Sequence, residues 1–535
     1  MRLSRLTVVN YARIPDLDLS MGQHVVLVGP NDVGKTCILR CIHFALGATI
    51  ASLYQSILPS DIADPAKALR IAVDLVDFNQ NEKALFPDEI TVDPDGSQRL
   101  RICVEAEGLP GDGADLAIRR YFPESGHLRA PTRQQLAGVG WHYLPAVRSG
   151  GAEGVEGRAS GLRSLLQTVD LGDERKKLGE TLEELNSDLN ESKTLMDLRV
   201  KMAEHLSLAT ARQVTKDDLV FRSAATPDEM VRILNLLLNR ADGLRPLSEQ
   251  SDGMNALAAM AFYDLSSTAS NIVAIDEPET HLHPAAQRAL ADLLASGKNQ
   301  KVISTHSPFI VQRFDPEWIV AFTASRECRQ LQPGLLSKTD KVMAQWWTGS
   351  KLEPLTASRI VFVEGLADRI ILEACARAAN ISLDRRSISI VELGGATAFG
   401  QANRFFGRGG FGADVAGLVD ADAEHIWAKD LLVDIADLSQ HAIYVSRDDL
   451  EAEYVRALGA QDTVAILVSS GAFTRQQILN FRSVPAMADL KDLDVIDFCR
   501  KNKVQAALAV STSISESHVK QMQGMNDLLE DIKAF

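Results

Sequence analysis

One stretch limits the rest of the chain more than any other: residues 24–46, HVVLVGPNDVGKTCILRCIHFAL. An apolar run of strand character (24–28) enters Gly29-x-x-x-x-Gly34-Lys35-Thr36, and a helical pattern follows. A strand before and a helix after is the context in which this spacing makes a P-loop. Glycines at 29 and 34 let backbone amides turn inward around phosphates at a helix N-terminus. Gly29, Pro30, Asn31 and Gly34 therefore line the expected nucleotide cradle. Lys35 is positioned to hold β- and γ-phosphates and Thr36 to ligate Mg²⁺.

A second apolar run, NIVAIDE (271–277), ends on two acids. Asp276 closes a buried strand, where a carboxylate can hold Mg²⁺ or its water, and Glu277 is placed to polarise an attacking water. PETHLHP (278–284) follows, and then KVISTHS (301–307), a strand that ends at His306. The His-x-His of 281–283 lacks further ligands for a metal, so packing or a subunit contact suits it better.

Size and charge set the frame for these motifs. The chain has 535 residues, 46% hydrophobic and 24% charged, more than one core supports, which predicts two or three domains. No run of about 18 apolar residues is present, so no membrane partner is expected. The N-terminus reads as a strand rather than a signal segment. Six cysteines without a CxxC pair suit a reducing, cytoplasmic setting. The formal net charge of −15 repels nucleic acid in bulk, so DNA could bind only through a local basic groove, an oligomeric channel or bridging metal ions.

The pattern of segments divides the chain. Strand-like runs dominate residues 1–150 (LSRLTVVNY, HVVLVGP, RIAVDLVDF, RLRICVEAE, LAIRRYF), which predicts a mixed sheet. A glycine-rich connection, SGGAEGVEGRASG (149–161), leads into an amphipathic helical stretch. That stretch is either a helix packed on its own domain or a dimerisation arm. Residues 323–356 read as an irregular, polar domain boundary. From 359 the rhythm becomes βαβα, which implies a smaller, mostly parallel α/β domain. The expected division is an ATPase domain over 1–155 and 221–350, a helical insertion over 156–220, and a C-terminal domain over 356–535.

In that last domain, RIVFVEGLADRIILEA (359–374) puts Glu364 at a strand end, Gly365 at a sharp turn and Asp368 in the first turn of a helix. SISIVELGG carries Gly394 and Gly395 after the next strand, and VAGLVDAD ends on Asp420 and Asp422. Positions i and i+2 of an extended segment point the same way. In a parallel sheet these carboxylates gather beyond the strand C-termini, where α/β sheets bind ligands. Clustered acids repel each other unless a cation joins them, and hard oxygen donors suit Mg²⁺ or Mn²⁺. Two such ions can clamp the attacking and leaving oxygens of a phosphodiester. Asp276 and Glu277 then serve ATP, and the second pair belongs to a separate metal site. NRFFGRGGFG (403–412), with Arg404 and Arg408, reads as a helix end and glycine turn, and Trp346 and Trp347 as packing between two domains.

The P-loop, NIVAIDE and KVISTHS together resemble ABC-type ATPases of the DNA-repair and SMC kind. The resemblance implies that His306 contacts the γ-phosphate and that LSEQSDG (247–253) stands for the signature segment, with Ser251, Asp252 and Gly253 as candidates, though it departs from the consensus. It implies ATP-glued heads in a homodimer or higher homo-oligomer. The order strand-Glu-Gly, Gly-Gly, Asp-x-Asp resembles a Toprim domain. The two together resemble the OLD (overcoming lysogenization defect) family of ATP-linked nucleases, with the nuclease subunit of the Gabija anti-phage system as a close class. That resemblance implies a metal site of Glu364, Asp368, Asp420, Asp422 and Glu451, the last in HAIYVSRDDLEAEY, with Thr36 and Asp276 holding the nucleotide's metal. It implies Lys503, in KNKVQAALAV, as the lysine that steadies charge on the phosphate, although Lys501 is two residues away. Glu364, Asp420, Asp422, Glu451, Lys503 and Glu277 are thus the catalytic candidates, ATP and Mg²⁺ or Mn²⁺ the cofactors, and DNA and a helicase-like protein the candidate partners. The expected activity is ATP-regulated DNA cleavage in anti-phage defence or repair. The other reading is a RecF/SMC-like DNA-binding clamp whose Toprim domain does not cut.

Overall fold

A computed structural model describes residues 1–109, 115–124, 128–145, 172–209, 215–221, 226, 237–240, 243–246, 254, 258, 272–280, 282–350, 352–486 and 489–535. The chain divides into two compact units, one of Met1–Pro145, Ser270–Glu279 and Gln287–Phe535, the other of Ala146–Ala269 and Thr280–Ala286. It is an α/β protein with a P-loop part, expected to be an ATPase, and a C-terminal part, expected to be a Toprim domain.

Two sheets build the ATPase part. In the first, strands Leu17–Ser20, Arg2–Val9, Leu69–Val76, Gln98–Gly108 and Ile90–Val92 lie in that order, with Leu116–Tyr121 also on Gln98–Gly108, all antiparallel. Its strands alternate as a one-sided sheet requires. Leu69, Ile71, Val73 and Leu75 are fully buried, as are Leu100, Ile102 and Val104 on the neighbouring strand. Their outward neighbours make a charge ladder instead, in which Glu105 takes Arg70 at 3.0 Å and also Arg119, and Asp74 takes Arg101 at 2.6 Å. The second sheet runs Cys328–Gln330, Ile319–Phe322, Val25–Val28, Gln300–Ser304, Ile272–Asp276, Trp141–Leu144, parallel except for the first strand. Val25–Val28, Ile272–Asp276 and Gln300–Ser304 are buried along their whole length, as continuous apolar strands covered on both faces are. Between the sheets lies helix Lys35–Leu46, whose Ile38, Leu39, Ile42 and Leu46 join both in one core.

Residues 323–356 are not the irregular stretch that their polarity suggests. They hold helices Lys338–Ser350 and Glu353–Thr356. Trp347 explains the difference: it is 4% exposed and stacks near Phe405 and Phe406 of the next domain, with centroids 6.2 and 5.8 Å away, while Trp346 stays exposed. Arg404 also reaches Asp340 at 3.3 Å, so this Arg pairs inside the chain.

The Toprim sheet has four parallel strands in the order Ile388–Glu392, Arg359–Val363, Asp414–Asp420, Ile443–Ser446. The order reverses direction between Arg359–Val363 and Asp414–Asp420, which is the switch point where open α/β sheets take ligands. One core cluster joins helices Leu366–Ala378, Leu450–Leu458, Lys503–Ser511 and Gln523–Ala534 to the sheet. A second, aromatic cluster is built by Phe362, Phe399, Phe406 and Trp427, with Phe399 and Trp427 stacked 4.1 Å apart and 8° from parallel. Gly417 permits it: a Cβ there would stand 2.5 Å from Trp427 Cζ3.

The other unit contains helices Glu174–Glu191 and Lys193–Ala209, separated by Ser192 alone. The sequence predicts a helical stretch here, and Arg199 ties the pair to the following chain through the Lys216 carbonyl at 2.7 Å. No helix among the described residues is long and apolar enough to cross a membrane.

Candidate functional site

The nucleotide site begins with a strained turn. Gly34 has φ +104°, and a Cβ there would stand 2.2 Å from Ile14 Cγ2, so only glycine fits. The turn delivers Lys35, 6% exposed, to the mouth of the loop, where its Nζ donates to the carbonyls of Gly29 at 2.9 Å and Pro30 at 2.8 Å. Burial pushes the Lys35 ammonium below its ordinary value, and Glu277, Asp276 and Glu279 pull it back. Pro30 and Asn31 lie exposed at the loop tip.

The sheet order sets what faces this loop. Thr36 Oγ1 donates to Asp276 Oδ1 at 3.2 Å across the end of the intervening strand Gln300–Ser304, and Ser304 Oγ donates to the same oxygen. Asp276 is buried, while Glu277 leaves the strand at φ +46° with its N–H on the Ser304 carbonyl at 3.0 Å. His306 Nε2 stands 3.8 Å from Glu277 Oε1, and its backbone N–H donates to Glu279. Burial, then Lys35, keeps His306 below the usual imidazole range. The structure thus gathers Lys35, Thr36, Asp276, Glu277 and His306. It adds Glu279, which burial raises above the ordinary carboxyl range and whose Oε2 has no hydrogen-bond partner. The PET tripeptide held that residue without marking it. A hydroxyl and a carboxylate 3.2 Å apart beside a lysine fit the Mg²⁺ and phosphates of ATP. Ser251 and Gly253, the signature candidates, lie outside the described residues.

The second site sits beyond the C-terminal ends of the Toprim strands. Glu364 follows Arg359–Val363, and its Oε1 accepts the Asp420 N–H at 3.2 Å. Asp368 caps its own helix, with Oδ2 accepting the Gly365 N–H at 2.7 Å. Asp420 Oδ1 accepts the Leu450 N–H at 3.1 Å. Lys503 Nζ stands 3.4 Å from Glu451 Oε2 and 3.9 Å from Asp420 Oδ2. Lys501 turns elsewhere, over the Phe481 ring at 5.5 Å, so Lys503 is the lysine that meets the acids.

One detail differs from the strand argument. The strand ends at Asp420, and residues 421–423 form a turn, so the i, i+2 rule stops applying between the two aspartates. Asp420 is half-buried and Asp422 exposed. Asp422 still acts on the cluster, since its charge raises Glu364.

The acids push one another toward the neutral form. Burial, then Asp368 and Glu364, lifts the Asp420 carboxyl to about 8. Burial and the charge of Glu451 lift Asp368 to about 6, and burial also raises Glu364 and Glu451. Burial depresses the Lys503 ammonium, but Glu451, Asp420 and Asp368 more than offset this and raise it. Both carboxylate oxygens of Glu451 are buried with no hydrogen-bond partner of good geometry, and Ser446 Oγ, directly across the sheet from Asp420, is buried likewise. Oxygen donors that crowd and remain unsatisfied fit a hard divalent cation. Among the described residues no three His, Cys, Asp or Glu side chains are already drawn together into a metal cage. Ser446 escaped sequence reasoning because a serine at a strand end carries no signal of its own.

Comparison with known proteins follows the same division. The AAA_21 family model, an AAA domain, matches residues 150–312, which takes in Asp276, Glu277 and His306. The model for the Overcoming lysogenization defect protein-like TOPRIM domain matches residues 355–422, which takes in Glu364, Asp368, Asp420 and Asp422. The OLD nuclease of Thermus scotoductus (strain ATCC 700910 / SA-01) is 27% identical over 429 residues, 74% of this chain and 77% of that protein. Among solved structures, the C-terminal region of the Burkholderia pseudomallei OLD protein aligns with a TM-score of 0.27 and 22% identity, over 33% of this chain and 98% of that one. The Smc head domain from Pyrococcus furiosus aligns with a TM-score of 0.35 and 15% identity, over 60% of this chain and 92% of that one. The chain thus carries, in order, a segment similar to an AAA domain and a segment similar to the OLD-like Toprim domain.

Proposed function

We propose that this chain is an ATP-regulated, divalent-metal-dependent DNA endonuclease. The observation that carries the reading is the acid cluster at the Toprim switch point, where Glu364, Asp368, Asp420 and Glu451 gather beyond the strand ends and Asp420 is raised to about 8. The likeness to a protein named OLD nuclease supports the same reading. Glu364, Asp368, Asp420, Asp422 and Glu451 would hold Mg²⁺ or Mn²⁺. Bound there, a divalent ion would activate a water and offset charge on the phosphodiester. Lys503, 51% exposed at the side chain, reaches the acids from the open side and would meet a phosphate oxygen. Glu364 orients Asp420 through its backbone N–H, and Leu450 fixes one Asp420 oxygen, which leaves Oδ2 to face Lys503.

In the ATPase domain, Lys35 would bind the β- and γ-phosphates, Thr36 and Asp276 the Mg²⁺, and Glu277 and His306 the attacking water and the γ-phosphate. Ser251 and Gly253 of a second copy would complete that site in a homodimer of heads, with residues 156–220 as a dimerisation arm. Boundaries near 155, 220 and 350–356 separate ATPase, insertion and Toprim parts. A cytoplasmic role in anti-phage defence or DNA repair, with or without a helicase-like partner, fits this chemistry.

The test is nicking of supercoiled plasmid with Mg²⁺ or Mn²⁺, with and without ATP, in the unaltered protein and in Lys35→Ala. Asp420→Ala with Asp422→Ala should abolish nicking. Cleavage that survives both substitutions would sink the assigned site. One observation favours a second reading, a RecF/SMC-like clamp that binds DNA without cutting. Lys503 already supplies a cation within 4.0 Å of Asp420 and Glu451. ATP-dependent DNA binding without nicking in either metal would decide for it.

A further inference from the structure

Two short segments grip each other beside the acid cluster. On one, Asp449 and Glu451 open helix Leu450–Leu458. On the other, Arg500 stands in the last turn of helix Asp492–Lys501 and Lys503 opens helix Lys503–Ser511, with Asn502 between the two helices. The pairing is two-runged: Arg500 Nε to Asp449 Oδ2 at 2.6 Å, and Lys503 Nζ to Glu451 Oε2 at 3.4 Å. Only the second rung belongs to the site described above.

The first rung acts on it through the backbone. Asp449 is the N-cap of helix Leu450–Leu458, and its Oδ1 accepts the Ala452 N–H at 2.8 Å. Its other oxygen is the one that Arg500 holds. Capping fixes the first helical turn. Within that turn the Leu450 N–H donates to Asp420 Oδ1, and Glu451 projects to Lys503. Arg500 is itself steadied by Asp497 at 3.0 Å. The rung is partly shielded, with the Asp449 side chain 18% exposed and Arg500 36%.

We propose that Arg500 is a positioning residue for the Toprim acids: by holding Asp449 it fixes the capped turn that orients Asp420 and presents Glu451. Its ion pairs go to Asp449 and Asp497, not to Glu364, Asp368, Asp420, Glu451 or Lys503. This inference rests on the nuclease reading for its catalytic consequence, but not for its structural one. A guanidinium suits the task, because its fork keeps its direction where an ammonium would rotate.

The experiment pairs hydrogen–deuterium exchange on the metal-free, full chain with plasmid nicking. Arg500→Ala should speed exchange over residues 447–453 by about tenfold, the loss that follows when a capped turn frays. Exchange in helix Leu366–Ala378 and the melting temperature should move little. Nicking should lose kcat by about ten- to a hundredfold, as small displacements of reacting groups do, with KM for DNA nearly unchanged. Arg500→Lys should recover part of both, and Asp449→Asn, which still caps, should fray the turn less than Asp449→Ala. Unchanged exchange over 447–453 in Arg500→Ala would overturn the proposal. So would exchange raised equally across the whole Toprim domain, since that marks a merely structural residue. An unaltered protein that never nicks DNA would refute the nuclease reading, and the exchange data would still decide whether Arg500 holds the turn.

Discussion

Asp420→Asn in metal-free protein should stabilise the Toprim domain at alkaline pH. The Asp420 carboxyl, ordinarily near 3.8, stands at about 8 because it is buried and faces Asp368 and Glu364. The folded state therefore binds this proton more tightly than the unfolded chain does. Stability is fully present below about pH 4 and is lost progressively up to about pH 8. At about 1.4 kcal/mol per tenfold change in proton affinity, the ceiling is about 6 kcal/mol. Local opening that admits water caps the cost lower, and on the order of 3 kcal/mol is the expected loss at pH 8.5. Asparagine removes the charge and keeps an Oδ1 acceptor for the Leu450 N–H, now 3.1 Å away. Its loss of attraction to half-exposed Lys503 is worth at most about 1 kcal/mol. Melting in EDTA should show the unaltered protein losing roughly 6–12 °C from pH 5.5 to pH 8.5, with Asp420→Asn nearly flat and higher at pH 8.5. Mg²⁺ added at pH 8.5 should lift the unaltered protein and leave the variant almost unmoved. A variant that melts at or below the parent at pH 8.5 in EDTA would refute the reasoning.

Two packing predictions bear on the two domains. Gly34→Ala should weaken ATP binding at least tenfold in a fluorescent-nucleotide titration, because a Cβ would meet Ile14 at 2.2 Å and φ is +104°; parental affinity would show that the cradle tolerates another turn. Gly417→Ala should lower Toprim stability by about 1–3 kcal/mol in a denaturant melt, since its Cβ would press on Trp427 from 2.5 Å. In that melt the intrinsic fluorescence of Trp427 should change in the native baseline, and an unchanged midpoint would mean the aromatic layer shifts freely.

What the sequence made legible was local in cause. The P-loop could be read because its spacing is enforced within one turn, and Glu364 and Asp420 because each ends a run of apolar residues that only a buried parallel strand explains. What stayed hidden depends on contacts distant along the chain. Ser446 matters only because its strand pairs with Asp414–Asp420. Arg500 matters only because helix Asp492–Lys501 returns to Asp449, 51 residues earlier. The polarity of 323–356 concealed a helix because its one decisive apolar group, Trp347, is buried against Phe405 and Phe406 rather than within its own segment. The i, i+2 argument for Asp420 and Asp422 failed for a related reason: the Ala421 N–H leaves the sheet to bond the Asp448 carbonyl, which ends the strand at Asp420. That same bond brings the loop after the fourth strand against the third. The turn that exposes Asp422 and the turn that Arg500 braces are therefore two sides of one contact. A substitution that loosens either should disturb Asp420 first, because Asp420 is the residue both turns share.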